Sequence, residues 1–183
     1  MTNADSRSSR RLVQGLAISG FLGLAVGLFA TWFLHLVTTW LRGYSLWSYA
    51  VSFLLAGSMF IVGLIVAKSS EPASATYGLL IILVLVCELS WYWLDYRDFR
   101  ARVTERAVAS KIADAPAAVD QLLIEETGSG GFWGYLKWSA WQGATFDDDP
   151  VPAGKGAALI NWGKRLLSIF WSLVWAFIGH SNG

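Results

Sequence analysis

The chain has 183 residues, of which 55% are apolar and 15% charged, with a formal net charge of +1. That length has room for one domain, and the charged share falls well below the roughly 25% of soluble domains. The balanced charge offers no basic stripe to neutralise phosphates, which argues against a nucleic-acid partner.

A single cysteine, Cys87, rules out an intrachain disulfide and a cysteine-based zinc site. Eleven tryptophans is a high count, and many fall near predicted helix ends, where anchoring at a membrane–water interface would require them.

Met1–Arg11 is polar and holds three arginines. The apolar run behind it is longer than the roughly 7–15 residues of a signal peptide, and no A-x-A-like site follows. Ser9-Arg10-Arg11-Leu12 echoes a twin-arginine signal only faintly, so the segment reads as the flank of a retained anchor. That run, Leu12–Leu41, is thirty residues without an Asp, Glu, Lys or Arg. At about 1.5 Å of rise per residue, a helix of this length crosses a hydrocarbon core of roughly 30 Å with tilt. Gly15, Ser19, Gly23, Gly27 and Thr31 recur every fourth residue, a small-residue face on which another helix can pack closely in lipid.

A second charge-free run spans about Leu46–Ala67, 22 residues, after a short link at Arg42-Gly43-Tyr44. So short a link makes the first two helices antiparallel neighbours. Lys68–Ala75 is a polar turn broken by Pro72. The third run covers Tyr77–Tyr96, with Glu88 and Asp95 in its second half, and charge then arrives abruptly from Arg97. No Gly or Pro interrupts before Pro116, so this helix is expected to continue as a solvated stalk. A short amphipathic helix follows over Ala117–Glu126, with Val119, Leu122 and Leu123 inward.

Gly128-Ser129-Gly130-Gly131 reads as a hinge. The next segment, with Trp133, Trp138 and Trp141 and one charge at Lys137, is too short and too polar to cross. It suits the headgroup plane or a docking position on the bundle. Asp147-Asp148-Asp149-Pro150 opens an acidic loop that lasts to Gly156. The final run, Ala157–His180, is split by Lys164 and Arg165, leaving fourteen charge-free residues over Leu166–Gly179. It makes a fourth crossing if those two cations snorkel to the interface.

The expected fold is an all-α integral membrane bundle of three to four transmembrane helices with a helical, aromatic-rich soluble or interfacial insert. Its parts are residues 1–96, 97–156 and 157–183. Three Lys or Arg lie in the tail and nine between Arg97 and Arg165. With Arg42 joining the nine, cytoplasmic placement of the insert puts ten basic residues inside and leaves the tail and Lys68 outside, as the positive-inside rule prefers. A bacterial inner membrane fits a basic-flanked anchor without a targeting signal.

Glu88 is the most informative residue, because a carboxylate in mid-membrane costs a few kcal/mol and normally faces protein or water. One reading makes it a proton or cation relay with Asp95 and His35. The favoured reading makes it a hydrogen-bonded packing residue that joins the third helix to the first through His35 or Thr31. His35 and His180 could in principle ligate a haem, yet no supporting pattern surrounds them. The glycines at 128–131 lack the Gly-Lys-Ser/Thr of a phosphate loop, and the aspartates lack calcium-loop spacing. No catalytic set, cofactor or metal site is visible. These features point to a non-enzymatic subunit or scaffold of a larger membrane complex, with lipids and other subunits or its own copies as partners. Its contacts would be the glycine face, Trp133, Trp138, Trp141, Lys164 and Arg165. The alternative is a small homo-oligomeric channel or transporter that uses Glu88.

Overall fold

The computed structural model describes residues 3–40, 47–68, 73–111, 114–142, 144–146, 149–151 and 153–183. The link expected at Arg42–Tyr44, the break at Pro72 and the head of the acidic loop at Asp147-Asp148 lie outside the described residues. Among the described residues six helices carry the fold: α1 (Asn3–Trp40), α2 (Trp47–Ala67), α3 (Ala73–Ala109), α4 (Ala115–Thr127), α5 (Gly131–Trp141) and α6 (Lys155–Ser181). Two three-residue strands, β1 (Ala144–Phe146) and β2 (Asp149–Val151), pair antiparallel with Thr145 opposite Pro150.

Helices form largely where charge-free runs predict them, with two extensions. α1 begins at Asn3, because nothing in the polar tail breaks a helix: Gly and Pro are absent until Gly15. α3 runs unbroken to Ala109, the expected stalk being a continuation of the same helix. The hairpin was not expected inside an acidic, proline-bearing loop. Pro150 has no N–H to give, and a two-stranded ribbon lets it sit on an edge.

Two of these helices, over Val13–Trp40 and Ala75–Ala109, are long and apolar enough to cross a membrane, and Leu54–Ala67 is a shorter apolar helix. Only 22% and 28% of the two apolar windows is buried, whereas a helix in a soluble core is mostly covered.

The chain divides into two compact units, residues 1–91 with 168–183, and residues 92–167. In the first unit α1, α2, α3 and the end of α6 form an up-down-up-down bundle. The neighbours fix the directions. Gly20, Gly23 and Gly27 of α1 face Leu79, Leu83 and Cys87 of α3, so these two run parallel. Gly23 meets Val66 and Val62 of α2 while Gly27 meets Val62 and Met59, so α2 is antiparallel to α1. Tyr77 meets His180 while Glu88 meets Ser172, which sets α6 antiparallel to α3. The core consists of Met59, Val62 and Val66, then Leu80, Leu83, Val84 and Cys87, and Ala176.

Close approach of backbones builds this unit as much as side-chain bulk does. A methyl group on Gly63 would strike the Ala176 carbonyl oxygen, and one on Gly179 would strike the Phe60 carbonyl oxygen. α2 and α6 therefore cross backbone to backbone. On α1, Cβ atoms added at Gly23 and Gly27 would come to 3.1 Å from Leu83 Cδ1 and 2.6 Å from Cys87 Sγ.

The second unit is aromatic. Tyr96 and Phe99 of α3 and Val119 and Leu123 of α4 are buried, with Val103, Phe132, Tyr135 and Trp138 packed on them. Ring centroids stand 4.6 Å apart for Phe99 and Trp138 and 5.1 Å for Phe99 and Tyr135, distances at which rings attract beyond their burial. α4 starts where the Asp114 side chain accepts the Ala117 N–H at 3.2 Å, with a proline in the first turn. It stops at Gly128, whose φ of 71° few other residues adopt. The expected hinge after it is a built turn. Asp120 Oδ1 accepts the Gly131 N–H at 3.1 Å, Ser129 Oγ accepts from Lys137 Nζ at 2.7 Å, and Gly134 leaves no space for a side chain against the Ser129 carbonyl.

Candidate functional site

Glu88 stands on α3 directly after Cys87, and both are buried, Glu88 with 3% of its surface exposed. Across from it, α6 presents two serines four residues apart, hence on one helix face. Ser172 Oγ donates to Glu88 Oε1 at 2.7 Å, and Ser168 Oγ lies 3.2 Å from Oε1 and 3.4 Å from Oε2. Ser172 is itself fully buried. Two hydroxyls on one carboxylate satisfy a polar group that would otherwise be expensive in an apolar bundle. Each serine gives up the usual alternative, bonding back to a carbonyl of its own helix.

These partners differ from the ones expected. The hydroxyls at Glu88 belong to α6, while Thr31 Oγ1 donates to the Gly27 carbonyl at 2.8 Å within α1. The geometry explains it: Thr31 continues the face that packs against α3, and its hydroxyl turns back along its own helix. His35 is buried beside Trp91, ring centroids 5.3 Å apart and edge to face, and its carbonyl accepts from Thr38 and Thr39 at 2.8 Å each. His180 sits at the far end of the bundle, edge to face with Tyr77 at 5.3 Å. Trp91 and Tyr77 are separated by about 21 Å of helical rise, so the two histidines of one chain do not flank a common haem.

On α1, Ser19, Gly23, Gly27 and Thr31 are buried, Gly15 is half-buried, and Ser19 Oγ donates to the Gly15 carbonyl at 3.0 Å. Gly23 and Gly27 face α3 and α2 of the same chain. The ladder thus serves packing within the chain. Gly20, which does not belong to that spacing, also lies close to α3, at Leu79.

Asp95, Trp133, Trp138, Trp141, Lys164 and Arg165 belong to the second unit. Arg165 is held tightly there. Its Nη1 donates to the Leu136 carbonyl at 2.9 Å and Nη2 to Ser139 Oγ at 2.7 Å. The guanidinium also stacks 4.7 Å from the Trp162 ring and 5.0 Å from the Tyr92 ring, and Asp95 acts on it electrostatically. One residue therefore ties α5, α6 and α3 together, a use the planar fork of arginine permits. Asn161 adds hydrogen bonds to the carbonyls of Ala140 and Gln142 at the end of α5. Trp138 joins the aromatic core, Trp133 and Trp141 are exposed, and Lys164 lies on the exposed side of α6.

Sequence reasoning missed Ser168 and Ser172. Their signal was a pair of small hydroxyl residues four apart in an otherwise apolar run. Gly57, Gly63 and Ala67 read as small surfaces of the second run, but the partner of Gly63 was missed: only the fold pairs it with Gly179. Among the described residues, no three His, Cys, Asp or Glu side chains converge as metal ligands would. Compared with protein-family models, characterised proteins and solved structures, the chain matches none.

Proposed function

We propose that this chain is a non-enzymatic subunit or assembly scaffold of a larger membrane complex, crossing the bilayer with α1, α2, α3 and α6. The observation that carries the reading is the band of large apolar side chains on the outside of the bundle. Phe21, Phe29 and Phe33 of α1 and Ile82 and Leu89 of α3 are exposed, while the helices meet inside at buried glycines, Gly23 and Gly27 of α1, Gly63 of α2 and Gly179 of α6. Water does not tolerate such bands on a monomer, whereas lipid or neighbouring subunits cover them. The up-down-up-down order puts the start of α1 and the end of α6 at the same end of the first unit, and three crossings before residue 97 would leave the insert on the other side of the membrane from the tail. The Lys and Arg count then favours a cytoplasmic insert over residues 97–156; the basic-flanked anchor is what suggests a bacterial inner membrane as the host.

A homo-oligomeric channel or transporter is a second reading, favoured by the carboxylate of Glu88 inside the bundle. Against it, both serines that meet Glu88 come from the same chain, so the site is closed within one protomer. The test is gentle extraction with native lipids, followed by native mass measurement and identification of whatever co-migrates. Stoichiometric foreign subunits support the scaffold. A closed set of identical copies alone supports the channel.

A further inference from the structure

We propose that the second unit holds the zwitterionic headgroup of a phospholipid, an ammonium joined to a phosphodiester. The cation would lie against Trp141, Trp162 and Glu126, and the phosphate at Lys137. This rests on the membrane reading above. The pocket measures about 350 Å³ and is lined by Glu126 and Thr127 of α4, Lys137 and Trp141 of α5, and Ala158 and Trp162 of α6.

Its chemistry is that of a dipolar ligand. Trp141 and Trp162 remain 49% and 43% exposed, and indole faces attract cations more strongly than other rings do. The Arg165 guanidinium occupies one face of the Trp162 ring at 4.7 Å, so the ammonium would take the other face, with Glu126 offsetting the neighbouring charge. Among the described residues nothing bonds or pairs with the Glu126 carboxylate, so it is open to an ammonium. Lys137 Nζ gives a hydrogen bond to Ser129 Oγ at 2.7 Å, and an ammonium has three N–H donors, so two remain for an anion. Glu126 and Lys137 line one pocket without forming an ion pair with each other. A bare phosphate would be repelled by the first and a bare cation by the second; a zwitterion suits both. The source is a lipid because the pocket wall continues as apolar helix surface. Leu159, Trp162 and Leu166 follow at steps of three and four residues on α6, all exposed, a track on which an acyl chain can lie.

The test uses the full chain in a mild detergent, given phosphatidylethanolamine or phosphatidylglycerol with the same acyl chains and read by native mass spectrometry. The wild type is expected to retain phosphatidylethanolamine preferentially. Glu126→Gln should lower that retention about fivefold to tenfold and leave phosphatidylglycerol unchanged, while Lys137→Gln should lower both. Soluble glycerophosphoethanolamine should compete only weakly; full competition at equal concentration would overturn the lipid source. Equal retention of both lipids by the wild type, or unchanged retention in Glu126→Gln, would overturn the assignment. Failure of the underlying membrane reading looks different: no lipid of either kind would be retained. Glu126→Gln removes no described contact, so its melting temperature serves as the folding control.

Discussion

The Ser172 hydroxyl meets the Glu88 carboxylate at 2.7 Å and joins α6 to α3 inside the apolar bundle, with Ser168 as a second donor. Glu88→Gln keeps an acceptor oxygen for both serines, so stability should change by less than about 1 kcal/mol. Ser172→Ala leaves the carboxylate with its longer bonds alone and should cost about 1–3 kcal/mol. Unfolding by SDS titration in mixed micelles measures both. Glu88→Gln should also keep co-purifying subunits bound, whereas a relay through this carboxylate would lose its flux.

Gly63 and Gly179 carry the crossing of α2 and α6. Valine at either position must displace a backbone carbonyl, not a side chain, and should cost about 3 kcal/mol or more. Gly57 has nothing within 4 Å of its added Cβ. Gly57→Ala should therefore be neutral or stabilising by up to about 1 kcal/mol, the helix-propensity difference. Equal losses at Gly57 and Gly63 in the same titration would contradict the close crossing.

The α1 ladder makes a coupled prediction. A Cβ on Gly27 would lie 2.6 Å from Cys87 Sγ, so Gly27→Ala should destabilise by about 1–3 kcal/mol. Removing the sulfur relieves the collision. The double variant Gly27→Ala with Cys87→Ala should be more stable than the sum of the singles by about 0.5 kcal/mol or more. Strict additivity would mean that α1 and α3 do not meet there.

Arg165 holds α5 through two hydrogen bonds and two ring contacts. Arg165→Lys keeps the charge but loses the fork and the stacking plane. Amide hydrogen exchange over residues 131–141 should rise about tenfold or more, since a hydrogen bond to a charged group contributes about 1.5–3 kcal/mol. Unchanged exchange there would show that α5 docks by its aromatic face alone.

The helices themselves were legible because charge-free runs and breakers are local signals. Leu46–Ala67 became α2 almost residue for residue, and the uninterrupted stretch after Tyr96 became the end of α3. Gly23 and Gly27 were legible as a packing face because they repeat along one helix. Their partner was not, since spacing says nothing about which helix arrives. The same limit hid Ser168 and Ser172 behind Glu88, eighty and eighty-four residues away. It also hid the Gly63–Gly179 crossing, where the glycines of neither helix recur every fourth residue. Arg165 read as an interfacial cation from its place in the run, while its hydrogen bonds go to carbonyl and hydroxyl groups of α5 that no pattern displays. The β1–β2 hairpin escaped because two three-residue strands leave too little alternation to see.

The most direct test of the account is the side of the membrane on which each part of the chain lies. Cys87, the single cysteine, is buried, so single cysteines introduced by Ser8→Cys, Ser110→Cys and Asn182→Cys can be labelled in intact cells with a membrane-impermeant maleimide. Four crossings with a cytoplasmic insert predict labelling at positions 8 and 182 from outside, and at 110 only after the membrane is opened. Labelling of 8 and 182 from opposite sides, or of all three from outside, would contradict the four-crossing bundle.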